Sequence, residues 1–207
     1  MSTPITHLMY LHGFRSSPQS TKARMTAAWV QAQRPDLVWC CPQLPASPRA
    51  ALALVMDIVN GNEASSSGTA TAPWPEGQFA VIGSSLGGFY ATVVAQRTGC
   101  SAVLLNPAVN PARDLVKYIG EISAWHSDEQ LHFDAAFIDE LHDLTPLLLT
   151  DLARYFAVIA KGDEVLDWQE MTARYAGCEI KLLDDGNHAL SDDAEHLPEV
   201  TGFLGLS

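Results

Sequence analysis

The sequence predicts an α/β fold, an open and mostly parallel sheet of six strands with helices on both faces. Three observations carry that expectation. Short apolar runs recur at residues 8–11, 37–41, 79–82, 102–105, 155–160 and 180–183, as strands buried on both faces require. Stretches of helical periodicity alternate with them. The third run passes straight into Gly83-Ser84-Ser85-Leu86-Gly87, a G-x-S-x-G match, and on into an apolar helical stripe of Leu86, Phe89, Tyr90, Val93 and Val94.

Taken in order, the first strand ends in His12-Gly13-Phe14-Arg15-Ser16-Ser17-Pro18. Gly13 suits a tight turn, and Ser17-Pro18 reads as an N-cap followed by proline at the first helical position. That helix should run to about Arg34, where Pro35 ends it. Ser47-Pro48 repeats the cap signal after the second strand, ahead of a stripe of Leu52, Val55, Met56 and Val59. Residues 61–78 lack periodicity and are rich in Ser, Gly, Thr and Pro, so they are expected to form a mobile surface loop. The helix after the G-x-S-x-G turn should stop at Gly99.

Residues 110–150 interrupt the alternation. They hold two weakly amphipathic stretches, around 115–122 and 133–144, and are expected to form a small helical cap over the carboxyl ends of the strands, where such sheets bind ligands. Alternation resumes at residue 155, with Trp168, Met171 and Tyr175 on one helical face and Ser191 as the cap of a last helix bearing Leu197, Val200 and Leu204. The expected organisation is one domain over residues 1–207, with 110–150 as a cap-like insertion.

Composition narrows the function classes. A formal net charge of −12 argues against nucleic acid or an anionic membrane as partner. The four cysteines, Cys40, Cys41, Cys100 and Cys178, show neither metal spacing nor a disulfide framework, although Cys41, at a strand end, could approach the site. The first residues lack the basic start and apolar core of a signal peptide, and no apolar stretch approaches a membrane span, so a cytoplasmic location is expected.

The G-x-S-x-G turn carries the chemistry. A hydroxyl projecting from a sharp strand-to-helix turn needs small neighbours so that helix and strand can approach, and Gly83, Gly87 and Gly88 supply them. Ser85 is therefore the expected nucleophile; Ser84 lacks the flanking glycines. The Leu86 N–H, at the helix N-terminus, points where an oxyanion would form. A serine needs a base, and the base an orienting acid, which in this topology follow in the order serine, acid, histidine. His188, in the loop Gly186-Asn187-His188-Ala189 after the last strand, is the expected base. Asp163, at the end of the fifth strand, is the expected acid, with Asp167 its rival and Glu164 expected to point away. The Phe14 N–H, after the first strand, is the expected second oxyanion donor. Trp125 and Phe133 are expected to line the acyl pocket; His126, His132 and His142 lack metal-ligand spacing.

These motifs occur together and in order: Leu11-His12-Gly13-Phe14, Gly83-Ser84-Ser85-Leu86-Gly87-Gly88-Phe89-Tyr90, Asn106-Pro107-Ala108, Gly162-Asp163-Glu164-Val165-Leu166-Asp167 and Gly186-Asn187-His188-Ala189. As a set they resemble the bacterial YqiA-type esterases of the α/β-hydrolase superfamily. The resemblance spans nearly the whole chain. It implies a hydrolase of short acyl esters that needs no metal or organic cofactor, with Ser85, Asp163 and His188 in the triad positions and a small-molecule ester as partner. An acyl thioesterase with the same three residues, and a binding module that has lost catalysis, are the alternatives. A thioester derived from a cofactor should favour basic residues at the pocket mouth, and this acidic chain offers few, namely Arg15, Arg113 and Lys117.

Overall fold

The computed structural model describes residues 3–62, 72–123, 130–190 and 193–206. Six strands, β1 (His7–Leu11), β2 (Val38–Cys40), β3 (Phe79–Ser84), β4 (Ser101–Leu105), β7 (Tyr155–Ala160) and β8 (Glu179–Leu183), form one sheet in the order β2-β1-β3-β4-β7-β8. Every neighbouring pair is parallel. The six apolar runs fall on these six strands.

The two-residue period of a strand sorts the side chains onto two cores. Met9, Leu11, Val81, Leu104, Ala157 and Ile159 face α2 (Pro48–Asn60), α3 (Leu86–Thr98) and α6 (Trp168–Arg174). Leu8, Tyr10, Ile82, Val103, Phe156 and Val158 face α1 (Thr21–Gln33) and α7 (Asp193–Phe203). Ser47 caps α2 by accepting from Ala50 N–H at 3.1 Å, with Pro48 at the first helical position. Gly99, in the left-handed region at φ 77°, closes α3. Both boundaries lie where the sequence places them.

Three expectations change. Ser17-Pro18 opens a turn instead of a helix: Ser17 Oγ accepts from Gln19 N–H at 3.2 Å, and α1 begins at Thr21 behind Ser20. In the segment expected to be a mobile loop, residues 63–71 lie outside the described residues, but its end is tied down. Trp74 N–H donates to Val59 O at 2.8 Å, and the Trp74 ring lies 4.9 Å from His7 and 5.7 Å from Phe79. Ser191 also lies outside the described residues.

The third change concerns 110–150, which is not wholly helical. After α4 (Pro111–Leu115) and a 3₁₀ turn over Val116–Tyr118, the chain forms an antiparallel ribbon of β5 (Gly120–Ser123) and β6 (Gln130–Phe133), then α5 (Ala136–Leu144). Gly120 sits opposite Phe133 and Glu121 opposite His132, whose Nδ1 lies 2.8 Å from Glu121 Oε1. Four-residue strands are too short for alternation to stand out against a helical reading. Glu140 on α5 anchors the insertion by accepting from Ser47 Oγ at 2.8 Å and Arg49 N–H at 2.9 Å, at the N-terminus of α2. No helix among the described residues is long and apolar enough to cross a membrane.

Candidate active site

Ser85 occupies the single position between β3 and α3. Its backbone stands at φ 56° and ψ −121°, a conformation that costs on the order of 1–3 kcal/mol for a residue with a side chain. The neighbours hold it there. Ser85 N–H donates to Leu105 O at 3.0 Å, and Ser85 O accepts from Ala108 N–H at 2.9 Å. Close packing requires glycine beside it: a Cβ on Gly87 would stand 1.9 Å from Leu11 O, and one on Gly83 2.1 Å from Gly87 O. The turn thereby lifts the Ser85 hydroxyl off the sheet edge.

The strand order delivers its partners to the same edge. Asp163 leaves the end of β7, and His188 lies in the loop after β8. His188 Nε2 is 3.0 Å from Ser85 Oγ, and His188 Nδ1 is 2.8 Å from Asp163 Oδ2. A carboxylate can only accept, so Nδ1 carries the hydrogen and Nε2 is left to accept from the serine hydroxyl. The Asp163 side chain has no exposed surface, and its other oxygen accepts from Val165 and Leu166 N–H, each at 2.8 Å. Asp167 is elsewhere, capping α6 by accepting from Gln169 N–H at 2.8 Å. Glu164, expected to point away, turns toward the site: its Oε2 accepts from His188 N–H at 3.0 Å.

Ser85, His188, Phe14 and Leu86 border a cavity of about 580 Å³. Leu115, Tyr118, Val165 and Leu166 contribute its apolar walls, and Arg15, Lys22 and Lys117 also reach it. Trp125 and His126 lie outside the described residues. Phe133 is not a wall residue. It is 1 % exposed and packs edge-on against Phe14 with ring centroids 5.2 Å apart, while Phe14 meets Tyr118 at 5.3 Å and Phe133 meets Phe137 at 5.4 Å. Phe14, which borders the cavity, packs on Phe133 from that side. Arg113, also expected near the mouth, is held in a bidentate pair by Glu170 at 2.7 Å. Cys41 lies away from the cavity lining, and burial, with Cys40 beside it, pushes its thiol up to about 12, so it stays protonated at neutral pH.

Two residues gained importance only in three dimensions. His12 is 4 % exposed; its Nε2 accepts from Leu44 N–H at 3.1 Å and its Nδ1 lies 3.0 Å from Gly13 O, which fixes the neutral Nδ1–H tautomer. It pins the turn carrying Phe14 to the loop after β2. Asn106, at the end of β4, is completely buried and its side chain is hydrogen-bonded to the end of β7 and to the loop after β8. The signal for each was a polar residue directly after a buried strand, which does not by itself name a partner.

Solved structures share this architecture at low identity. A protein of Agrobacterium vitis S4 superposes with a TM-score of 0.73 at 14% identity, covering 98% of this chain and 90% of that one. Mouse alpha/beta hydrolase domain-containing protein 10 gives 0.64 at 15% identity over 94% and 87%. The Pyrococcus furiosus esterase Pf2001 gives 0.60 at 14% identity over 99% and 82%. Likeness at that level shows the α/β-hydrolase fold. The sequence itself matches the uncharacterised protein family UPF0227 over residues 7–205, and with the YqiA-like motifs in place on that fold, the chain belongs to this family.

Proposed function

We propose that the protein is a serine hydrolase that cleaves short-chain carboxylic esters by acyl transfer. The observation that carries this reading is the chain of hydrogen bonds from Asp163 through His188 to Ser85 Oγ at the wall of a cavity. His188 Nε2 takes the hydroxyl proton as Ser85 Oγ bonds to the ester carbonyl carbon. Negative charge gathers on the carbonyl oxygen, where the Phe14 and Leu86 N–H groups serve as donors. The tetrahedral species collapses as the C–O bond to the alcohol breaks, and His188 hands its proton to the leaving oxygen. Water, deprotonated by His188, then attacks the acyl-enzyme and frees the acid and Ser85. Asp163 holds the ring in the required tautomer throughout.

The acyl group is read as lying against Leu115, Tyr118 and Leu166, so α4 and the turn after it are the part of the insertion that encloses substrate. Ser85→Ala is expected to lose on the order of 10⁶-fold in kcat, the scale of nucleophile loss in a serine protease. Hydrolysis of p-nitrophenyl esters measures it, and an organophosphonate probe should label Ser85 in the wild type. Turnover close to wild type by folded Ser85→Ala would end the reading.

A thioester substrate is the second reading, favoured by Arg15, Lys22 and Lys117 around the cavity of a chain otherwise strongly acidic. Comparing kcat/KM for a p-nitrophenyl ester and a coenzyme A thioester of the same acyl group decides between them.

A further inference from the structure

We propose that Asn106 is a positioning residue of this site, its side-chain amide setting the height of the loop that carries His188; the proposal rests on the hydrolase reading above. Asn106 follows β4 in a left-handed conformation, φ 42°, with no exposed surface. Few residues with a side chain adopt that backbone, and asparagine is among those that do. Its backbone N–H continues the sheet by donating to Val158 O at 2.9 Å.

The amide then works in two directions. Its Oδ1 accepts from Ala160 N–H at 2.8 Å, at the end of the strand that leads to Asp163. Its Nδ2 donates to Asn187 O at 3.1 Å and, at a longer 3.4 Å, to His188 O. The partners dictate this orientation, because a backbone N–H only donates and a carbonyl only accepts. The backbone flanking Asn106 holds Ser85, through Leu105 O and Ala108 N–H. One short segment thus grips the elements that carry the nucleophile, the acid and the base. The acid and base loops also touch directly, since a Cβ on Gly162 would stand 2.2 Å from Gly186 O.

The consequence is geometric. The imidazole of His188 must meet Asp163 and Ser85 at once, and its backbone anchors are Asn106 Nδ2 on the carbonyl side and Glu164 on the N–H side. Glu164 is exposed and competes with water, whereas the Asn106 amide is enclosed and has no solvent to replace it. Loss of the amide takes the buried donor from His188 O and leaves Asn187 O only the local Leu190 N–H at 3.0 Å, so the loop is no longer tied to β4 and shifts. A misplacement of order 1 Å can cost about 10²-fold in rate.

Asn106→Asp tests this with an isosteric side chain that keeps the acceptor for Ala160 N–H but turns an oxygen toward the two carbonyls. Asn106→Gly removes the amide altogether while accepting φ 42° without strain, and it decides the matter if the aspartate variant does not fold. With a p-nitrophenyl ester, and rates referred to folded protein by circular dichroism, each folded variant should lose roughly 10- to 100-fold in kcat with KM within about twofold. The downfield proton resonance of His188 Nδ1–H should weaken in parallel. A role confined to stability would leave kcat per folded molecule and that resonance as in the wild type, and this result overturns the proposal. Phosphonate labelling separates the two readings. Wild type labelled at a residue other than Ser85 sinks the hydrolase assignment and this proposal with it. Wild type labelled at Ser85, with folded Asn106 variants reacting at the wild-type rate, sinks the positioning role alone.

Discussion

Asp163 and Asp167 stand on one short loop with different duties. Asp163 is enclosed, with Oδ2 on His188 Nδ1 and Oδ1 on two backbone N–H groups that fix its carboxylate plane. Asp167 is exposed and caps α6. In the proposed mechanism Asp163→Asn presents an NH₂ group where the ring must donate, which favours the wrong tautomer. The same change in a serine protease costs about 10⁴-fold in kcat, and a loss of that order is expected here in ester hydrolysis at neutral pH. Asp167→Ala should leave kcat unchanged and cost about 0.5–2 kcal/mol, the usual value of an N-cap, seen as a lower urea midpoint. If the kinetic loss falls on Asp167 instead, the assignment of the acid is wrong.

At the scale of elements, the site depends on how closely β1, β3 and α3 can pack. A methyl group on Gly87 collides with the Leu11 and His12 carbonyls, both backbone atoms that cannot swing aside. Gly87→Ala should therefore cost about 1–3 kcal/mol or more by denaturant unfolding, and lower kcat by driving the Phe14 turn away from Ser85. The β5–β6 ribbon acts on the same turn from the other side. Phe133 packs behind Phe14, so Phe133→Ala should destabilise by about 3–5 kcal/mol and leave the preference among ester chain lengths unchanged. Tyr118→Ala, at the cavity wall, should shift that preference. A chain-length shift in folded Phe133→Ala would show that Phe133 reaches the substrate after all.

Across the whole molecule, the turns after β1 and β3 and the loops after β7 and β8 meet at one edge because all six strands run the same way. That edge also stores a pH dependence. Burial lowers the pKa of His12 below its ordinary 6.5, and protonation would put a second N–H against the Leu44 N–H. The unfolded chain therefore binds this proton first. The contribution of His12 is fully present above about pH 6.5 and is lost progressively as pH falls below it. His7, lowered by burial as well, adds in the same direction. Unfolding free energies measured from about pH 7.5 down to 5 should decline in the wild type and decline less in His12→Gln, where only His7 remains of the two. Equal slopes would remove His12 from the account.

The parallel sheet is legible in the chain alone, because doubly buried strands must be apolar throughout and six such runs stand out between helical stretches. So is the elbow at Ser85, for a related reason: a strained serine between close-packed elements demands glycine at fixed offsets, and those offsets are local. Asp163 and His188 were legible as residues at the ends of strands, their geometry following from a topology in which strand ends converge. Contacts between segments distant in the chain emerge only once it is folded. Asn106 sits at a strand end, but its partners are more than fifty residues away at Ala160 and about eighty away at Asn187 and His188. Phe133 was expected at the cavity, and packing places it one layer behind, because an aromatic residue carries no local mark of which neighbour it will meet. Glu164 was expected to point away from the site, and the fold of the His188 loop brings a backbone N–H to it that alternation along a strand could not foresee. Local chemistry fixes which residue types an element can hold, whereas the identity of a buried partner depends on how loops close over the sheet.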